Sequence, residues 1–427
     1  MRSRLAYGPG MLELDLQGID ADIIEPRHNA GLPDEKEAVV AALHNPVGTR
    51  PLESWLNPSC RICISFTDGT RATPNNRLIP WLLEYLHRYG VQRENIKLLN
   101  QVGTHRANTR DELKEILTPE IVEKYQVINH EPNNREALVQ LGVTRSGAPA
   151  LVNRHFVEAD VRIATGFIEP HLFAGFSGGV KNIIPGLAGQ ETVMHNHGYR
   201  NLLDPHATFG VTEGNPLWEE LRDIALRTGP VFLLNVALNN DRHITGVFAG
   251  DLLESHKVGC EFVRSSAMQR VDEQYDVVIT TNSGYPLDQN LYQSVKGMSA
   301  AARIVAHGGT IILAAECREG FPAGSAYERL LRNSAGPAEL LQHLRDADRP
   351  FPDQWQAQIQ ALILQRAEIL LYSQMSDEDV RAAHLSPCHD IARVVRRIFE
   401  SGKPDARVAI LPQGPLTIPY LAQEVIT

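Results

Sequence analysis

Short apolar runs alternate with amphipathic stretches through the first part of the chain. Arg61 to Phe66, Ile96 to Val102, Gln126 to His130 and Val161 to Ile168 read as buried strands. Between them, Asn76 to Gly90 places Leu78, Ile79, Leu82, Leu83 and Leu86 along one helical face and stops at a glycine. Thr109 to Leu117 reads as a further helix. Strands alternating with helices predict an α/β fold with mostly parallel, Rossmann-like sheets and crossover helices. Leu12 to Leu16 suggests an edge strand. Pro216 to Arg227 and Leu253 to Met268 read as helices around a strand at Phe232 to Leu238, and Val271 to Gln274 as a linker. A second α/β unit starts at Tyr275 to Ile279 and continues through a helix at Asn290 to His307 and a strand at Thr310 to Ala315. Its last strand is Val408 to Leu411. The expected division is therefore a first domain over 1–270, a second over 275–405, and a terminal segment, 406–427, free to return to the first.

Length supports two domains, because a single core seldom grows past roughly 250 to 300 residues. A net charge of -10 argues against a nucleic-acid partner, which calls for a basic footprint. Five cysteines, an odd number, point to a reducing compartment rather than a disulfide scaffold. Cys60 and Cys63 form a C-x-x-C, but on a strand residues three apart face opposite sides, so no paired chemistry is expected of them. No apolar run approaches the roughly 20 residues of a membrane-spanning helix. With no signal-like apolar core at the N-terminus, the expected location is the cytoplasm, without a membrane partner.

Candidate chemistry concentrates in Gly166 to His197, GFIEPHLFAGFSGGVKNIIPGLAGQETVMHNH. Phe176 to Gly179 brings small residues whose backbone N–H groups can approach an anion, and a helix starting there would add its positive end. Lys181 follows, as a counter-charge or a nucleophile toward a carbonyl or thiocarbonyl carbon. His171, Lys181, His195 and His197 are spaced too irregularly to share one helical face, so only the fold can bring them together. In open α/β sheets, ligands lie beyond the carboxyl ends of the strands. TDGTR, GTHR and EPHLFAGFSGG each follow a predicted strand, which groups Asp68, Arg71, His105, His171 and Lys181 on one rim.

Taken together, TDGTR (67–71), GTHR (103–106), EPHLFAGFSGGVKNIIPG (169–186), Asn196-His197, YQSVKG (292–297) and DQWQAQ (353–358) resemble the nickel-dependent lactate racemase family, in order and in spacing. The resemblance implies a two-domain enzyme, with its active site in the crevice between the domains. It implies a nickel pincer nucleotide, a pyridinium-3-thioamide-5-thiocarboxylic acid mononucleotide, joined covalently to Lys181, with His197 completing the nickel coordination. His105 and His171 match the acid/base pair. The implied reaction is racemisation or epimerisation of a 2-hydroxy acid by reversible hydride transfer from substrate C2. Hydride removal avoids a carbanion beside the substrate carboxylate, and two imidazoles suit the two enantiomers. Soft sulfur with one imidazole is a coherent nickel set.

Supporting roles follow. Arg71 offers a bidentate fork to a carboxylate or phosphate. Asp68 would hold a ribose hydroxyl or orient a neighbour, and Ser177, Gly178 and Gly179 would contact the cofactor. Gln293 and Lys296 lie three apart on a predicted helix and so face one way; with Tyr292 and Trp355 they are expected at the substrate. His195 rivals His197, since both would face one side of an extended segment. His155, His206 and His243 look structural or exposed. The implied partners are proteins of cofactor synthesis. Alternatives are an epimerase of a sugar acid or other larger 2-hydroxy acid, a zinc hydrolase using His105, His171 and His197, and a non-catalytic sensor.

Overall fold

In a computed structural model of the chain, residues 1–347, 350–401 and 403–422 are described. The main strands, in chain order, are Arg2–Tyr7 (β1), Gly10–Asp15 (β2), Asp22–Ile23 (β3), Ile62–Thr67 (β4), Ile96–Gln101 (β5), Gln126–Asn129 (β6), Val161–Phe167 (β7), Phe232–Leu238 (β8), Ile244–Asp251 (β9), Met268–Val271 (β10), Tyr275–Thr281 (β11), Val305–Ala314 (β12), Glu368–Tyr372 (β13), Ser386–Pro387 (β14), Val408–Leu411 (β15) and Ile418–Leu421 (β16); Leu138–Val143 with Pro149–Asn153, and Pro170–His171 with Gly175–Phe176, form separate two-stranded pairs. They build two six-stranded sheets, ordered β9-β8-β7-β4-β5-β6 and β14-β13-β12-β11-β15-β3. The first is parallel except for β9, which runs antiparallel to β8. The second is parallel throughout. This is the expected mixed α/β fold with predominantly parallel sheets.

Each position of β4 is buried because its sheet is covered on both faces. On one face, helix α1 (Asn75–Arg88) lays Leu78, Ile79, Leu82 and Leu86 against Ile62, Ile64, Phe66 and Leu98. The opposite face takes Val180, Ile183, Ile184 and Leu187 together with Leu221 and Ile224 of helix α2 (Pro216–Leu226). Cys60 belongs to the first cluster and Cys63 to the second. The C-x-x-C pair is thus divided by the sheet, and all five cysteines are free and buried.

Two compact units result. One comprises His28–Asn196 and His206–Ser265; the other Met1–Arg27, His197–Pro205 and Ser266–Thr427. These bounds correct the sequence expectation in three places. The first 27 residues join the second sheet's unit, because Asp22 and Ile23 pair with Ala409 and Ile410 while Leu5, Leu14 and Leu16 fill the core beside Val277, Ile279, Ile312 and Val395. Residues 408–421 do not return to the first domain: β15 inserts between β11 and β3, and β16 pairs with β10. Residues 423–427 of that expected segment lie outside the described residues. The expected linker therefore begins on a strand, since Val271 ends β10.

Local differences have similar causes. Leu12 to Leu16 belongs to a two-stranded β1–β2 hairpin rather than to an edge of either main sheet. The helix expected to reach His307 is Leu291–Ala302 (α3), and β12 already starts at Val305. β9 was not anticipated, because its apolar positions are interrupted by glycines.

Candidate active site

In the first unit, β7, β4 and β5 are adjacent and parallel, so the segments leaving their carboxyl ends meet, as expected of TDGTR, GTHR and EPH. The side chain of His105, half exposed, makes a 2.8 Å hydrogen bond through Nδ1 to Oδ2 of the buried Asp68. Burial disfavours an ionised Asp68. The bond from His105, its charge when protonated, a hydrogen bond from Thr70 and nearby Arg71 outweigh that, and the carboxyl sits below its usual range. An ionised carboxylate only accepts, so Nδ1 carries the proton and Nε2 presents a lone pair. Of the two roles foreseen for Asp68, orienting a neighbour is the one the geometry supplies.

Lys181 sits one residue off a buried stripe, Val180, Ile183, Ile184 and Leu187. It keeps partial access to solvent, yet protein surrounds its amine, and burial with repulsion from Arg71 pushes it down to about 7. Nζ lies 5.6 Å from the centroid of the Phe173 ring. The same ring packs edge-on against His171 at 4.6 Å. The buried His171 accepts at Nδ1 from the Ala174 N–H (3.3 Å). Asp68, Arg71, His105, Lys181, Phe173 and His171 are linked by these contacts.

In the loop Phe176 to Gly179, three of the four backbone N–H groups are held by partners within the protein. Phe176 N–H donates to Ala174 O, Ser177 N–H to Glu169 O, and Gly179 N–H to Asn235 Oδ1 at 2.8 Å. Ser177 Oγ donates to Phe167 O and accepts from Glu169 N–H. The glycines admit close neighbours: a Cβ on Gly178 would fall 2.4 Å from Asn235 Oδ1, and one on Gly179 2.4 Å from the His256 ring. Both have positive φ, +74° and +53°. Behind this loop His256, held neutral by burial at about 4, donates from Nε2 to Ser177 O. Ser177, Gly178 and Gly179 thus shape the loop that carries Lys181. Sequence reading missed Gln101, Asn182, Asn235 and His256 beneath it. The available signal was a lone Asn in the apolar run FLLNVAL.

The remaining candidates lie in the second unit. His197 is buried and packs edge-on against Trp355, centroids 5.2 Å apart. Trp355 Nε1 donates to Tyr292 Oη at 2.9 Å, and Gln356 Nε2 to Tyr292 O at 2.8 Å. Asn290 caps α3 through the Gln293 N–H, and Tyr292, Gln293 and Lys296 form its partly exposed side. His195 instead lies in the last turn of the helix Gln190–Asn196. The extended geometry that would have made it equivalent to His197 is absent, and the two residues belong to different units. Among the described residues, no three His, Cys, Asp or Glu side chains gather as a metal site.

Family models for the N-terminal and C-terminal domains of lactate racemase match residues 7–210 and 271–418. The chain belongs to the lactate racemase family. It is 36% identical over 383 residues to the lactate racemase of Thermoanaerobacterium thermosaccharolyticum, covering 89% of each chain. To that of Lactiplantibacillus plantarum it is 35% identical over 384 residues, covering 89% of this chain and 90% of the other. The solved lactate racemase apoprotein from T. thermosaccharolyticum superposes with a TM-score of 0.92 at 34% identity, over 98% of this chain and all of the other. Lactate racemase family membership makes the chain an isomerase, and the two-domain fold matches that structure.

Proposed function

We propose that this chain racemises a small 2-hydroxy acid, lactate first among them, with a nickel pincer nucleotide attached at Lys181. The observation that carries the proposal is the lowered amine of Lys181, at about 7, in the same unit as the Asp68–His105 pair. The residues present fit such a group. A lysine with a substantial free-base fraction at neutral pH is suited to a covalent bond with a thiocarbonyl carbon, and His197 offers one imidazole to nickel. When bound, the nucleotide supplies an electrophilic ring carbon able to accept hydride from C2.

The protein's own groups then do the rest. His105 Nε2 takes the substrate hydroxyl proton, and Asp68 stabilises the imidazolium that forms. His171 serves the hydroxyl of the other enantiomer. Arg71, Tyr292, Gln293, Lys296 and Trp355 are assigned to holding and walling the substrate, its carboxylate by the cations. Cofactor-synthesis proteins are the proposed partners. Five free, buried cysteines support a reducing, cytoplasmic setting. Among the described residues no helix is long and apolar enough to cross a membrane.

The test is an intact-protein mass spectrum with nickel analysis, on protein co-expressed with a pincer-nucleotide synthesis system. A cofactor-sized increment with about one nickel per chain, mapping to Lys181 and lost in Lys181→Ala, is expected. Racemisation by protein carrying neither increment nor nickel would overturn the assignment.

A further inference from the structure

Beneath the Lys181 loop runs a chain of buried carboxamides that no proton transfer uses. Gln101 Nε2 donates to Ser65 Oγ at 2.9 Å and Thr165 O at 3.1 Å, anchoring on the neighbouring strands β4 and β7. Its Oε1 accepts from Asn182 Nδ2 at 3.0 Å. Asn182 Oδ1 accepts from Asn235 Nδ2 at 3.1 Å, and Asn235 Oδ1 accepts from the Gly179 N–H at 2.8 Å. The three amides are 8%, 4% and 0% exposed. Lys181 stands between the two clamped positions, 179 and 182.

An apolar floor would fill the same space at lower desolvation cost. What three amides in series add is direction. Each is oriented by a donor on one side and an acceptor on the other, so the loop has one allowed register against the sheet. Because Asn235 acts on one side of Lys181 directly and on the other through Asn182, loss of either asparagine frees the same segment.

We propose that Asn235 and Asn182 form a positioning clamp for Lys181, holding its amine in the enclosed, partly accessible place from which it serves as an attachment point. The proposal rests on the reading of Lys181 as the cofactor lysine. The test uses full-length, cofactor-free protein and competitive acetylation with acetic anhydride at a series of pH values, read by peptide mass spectrometry. Wild-type Lys181 is expected to titrate near 7. In Asn235→Ala and in Asn182→Ala the midpoint should rise by about one pH unit or more as water reaches the amine. The double variant should move no further than the larger single shift, since both break one chain. Lys97 and Lys257 serve as internal references.

An unmoved midpoint in folded Asn235→Ala, or additive shifts in the double variant, would overturn the clamp while leaving the Lys181 reading intact. Wild-type Lys181 titrating like an exposed lysine would overturn both. If Asn235→Ala does not fold, Asn182→Ser takes its place with the same expected shift.

Discussion

The carboxyl rims of the two parallel sheets make an instructive pair. Each lies where an open α/β sheet receives ligands, and they are furnished differently. The rim of β7, β4 and β5 carries titratable side chains: Asp68 on His105, Arg71 near both Asp68 and Lys181, and His171 against Phe173. At the rim of β11 and β15, where strand order reverses, the same unit's N-terminal hairpin supplies backbone. Ala6 N–H donates to Pro412 O, Tyr285 N–H to Gly8 O, and the Gly8 and Glu316 N–H groups both donate to Oδ2 of the buried Asp288. A shared architecture thus carries a cluster of titratable side chains on one rim and main-chain closure on the other. What separates them is whether side chains or main chain occupy the strand ends.

The comparison breaks most visibly at the acid/base pair. His105→Ala and His171→Ala should each lower racemisation by roughly 10² to 10⁴-fold while retaining the Lys181-linked mass increment; a variant that racemises at the wild-type rate would refute its assignment. Asp68→Asn should cost on the order of 10²-fold, because an amide neither fixes the Nδ1 proton as strongly nor stabilises the imidazolium. Steady-state rates in both substrate directions measure it.

On the second rim the corresponding change should act on folding. Asp288→Ala orphans two backbone N–H groups and should cost on the order of 3 kcal/mol, seen as a lower denaturation midpoint, with the mass increment at Lys181 unchanged. A change of reversed sign returns to the first rim. An unfolded lysine holds its proton up to about 10.5, and native Lys181 only to about 7. Burying it therefore destabilises the fold below 10.5, in full below 7. Lys181→Met should raise the apoprotein's stability most at and below pH 7, with the gain fading toward 10.5; urea titrations across pH would show it.

Much of the first rim was legible because its motifs follow apolar strands directly, and a strand fixes which end a loop leaves from. Asp68, His105 and Lys181 could be grouped on that ground alone. The bond between Asp68 and His105 could not, since it joins residues on different loops. Glycine composition at Phe176 to Gly179 did not disclose that the small residues there make room for Asn235 and His256. Asn235 itself went unread because a single polar residue in an apolar strand gives no hint of its partner 53 positions away. The placement of residues 1–27 was hidden for a related reason: β3 has two residues, too few for any pattern, and its pairing partner is β15.

That pairing has a consequence for synthesis. Residues 28–265 supply the whole of the first unit apart from the excursion His197–Pro205, so its sheet can close while the chain is still being made. The second unit takes β1 to β3 from before that stretch and is completed by β15 and β16 from well after it. Its opening hairpin and β3 are made long before β15, the strand that pairs β3, and wait without their sheet until it has emerged. A chain broken off before β15 would consequently leave β3 unpaired beside a unit that already carries Lys181.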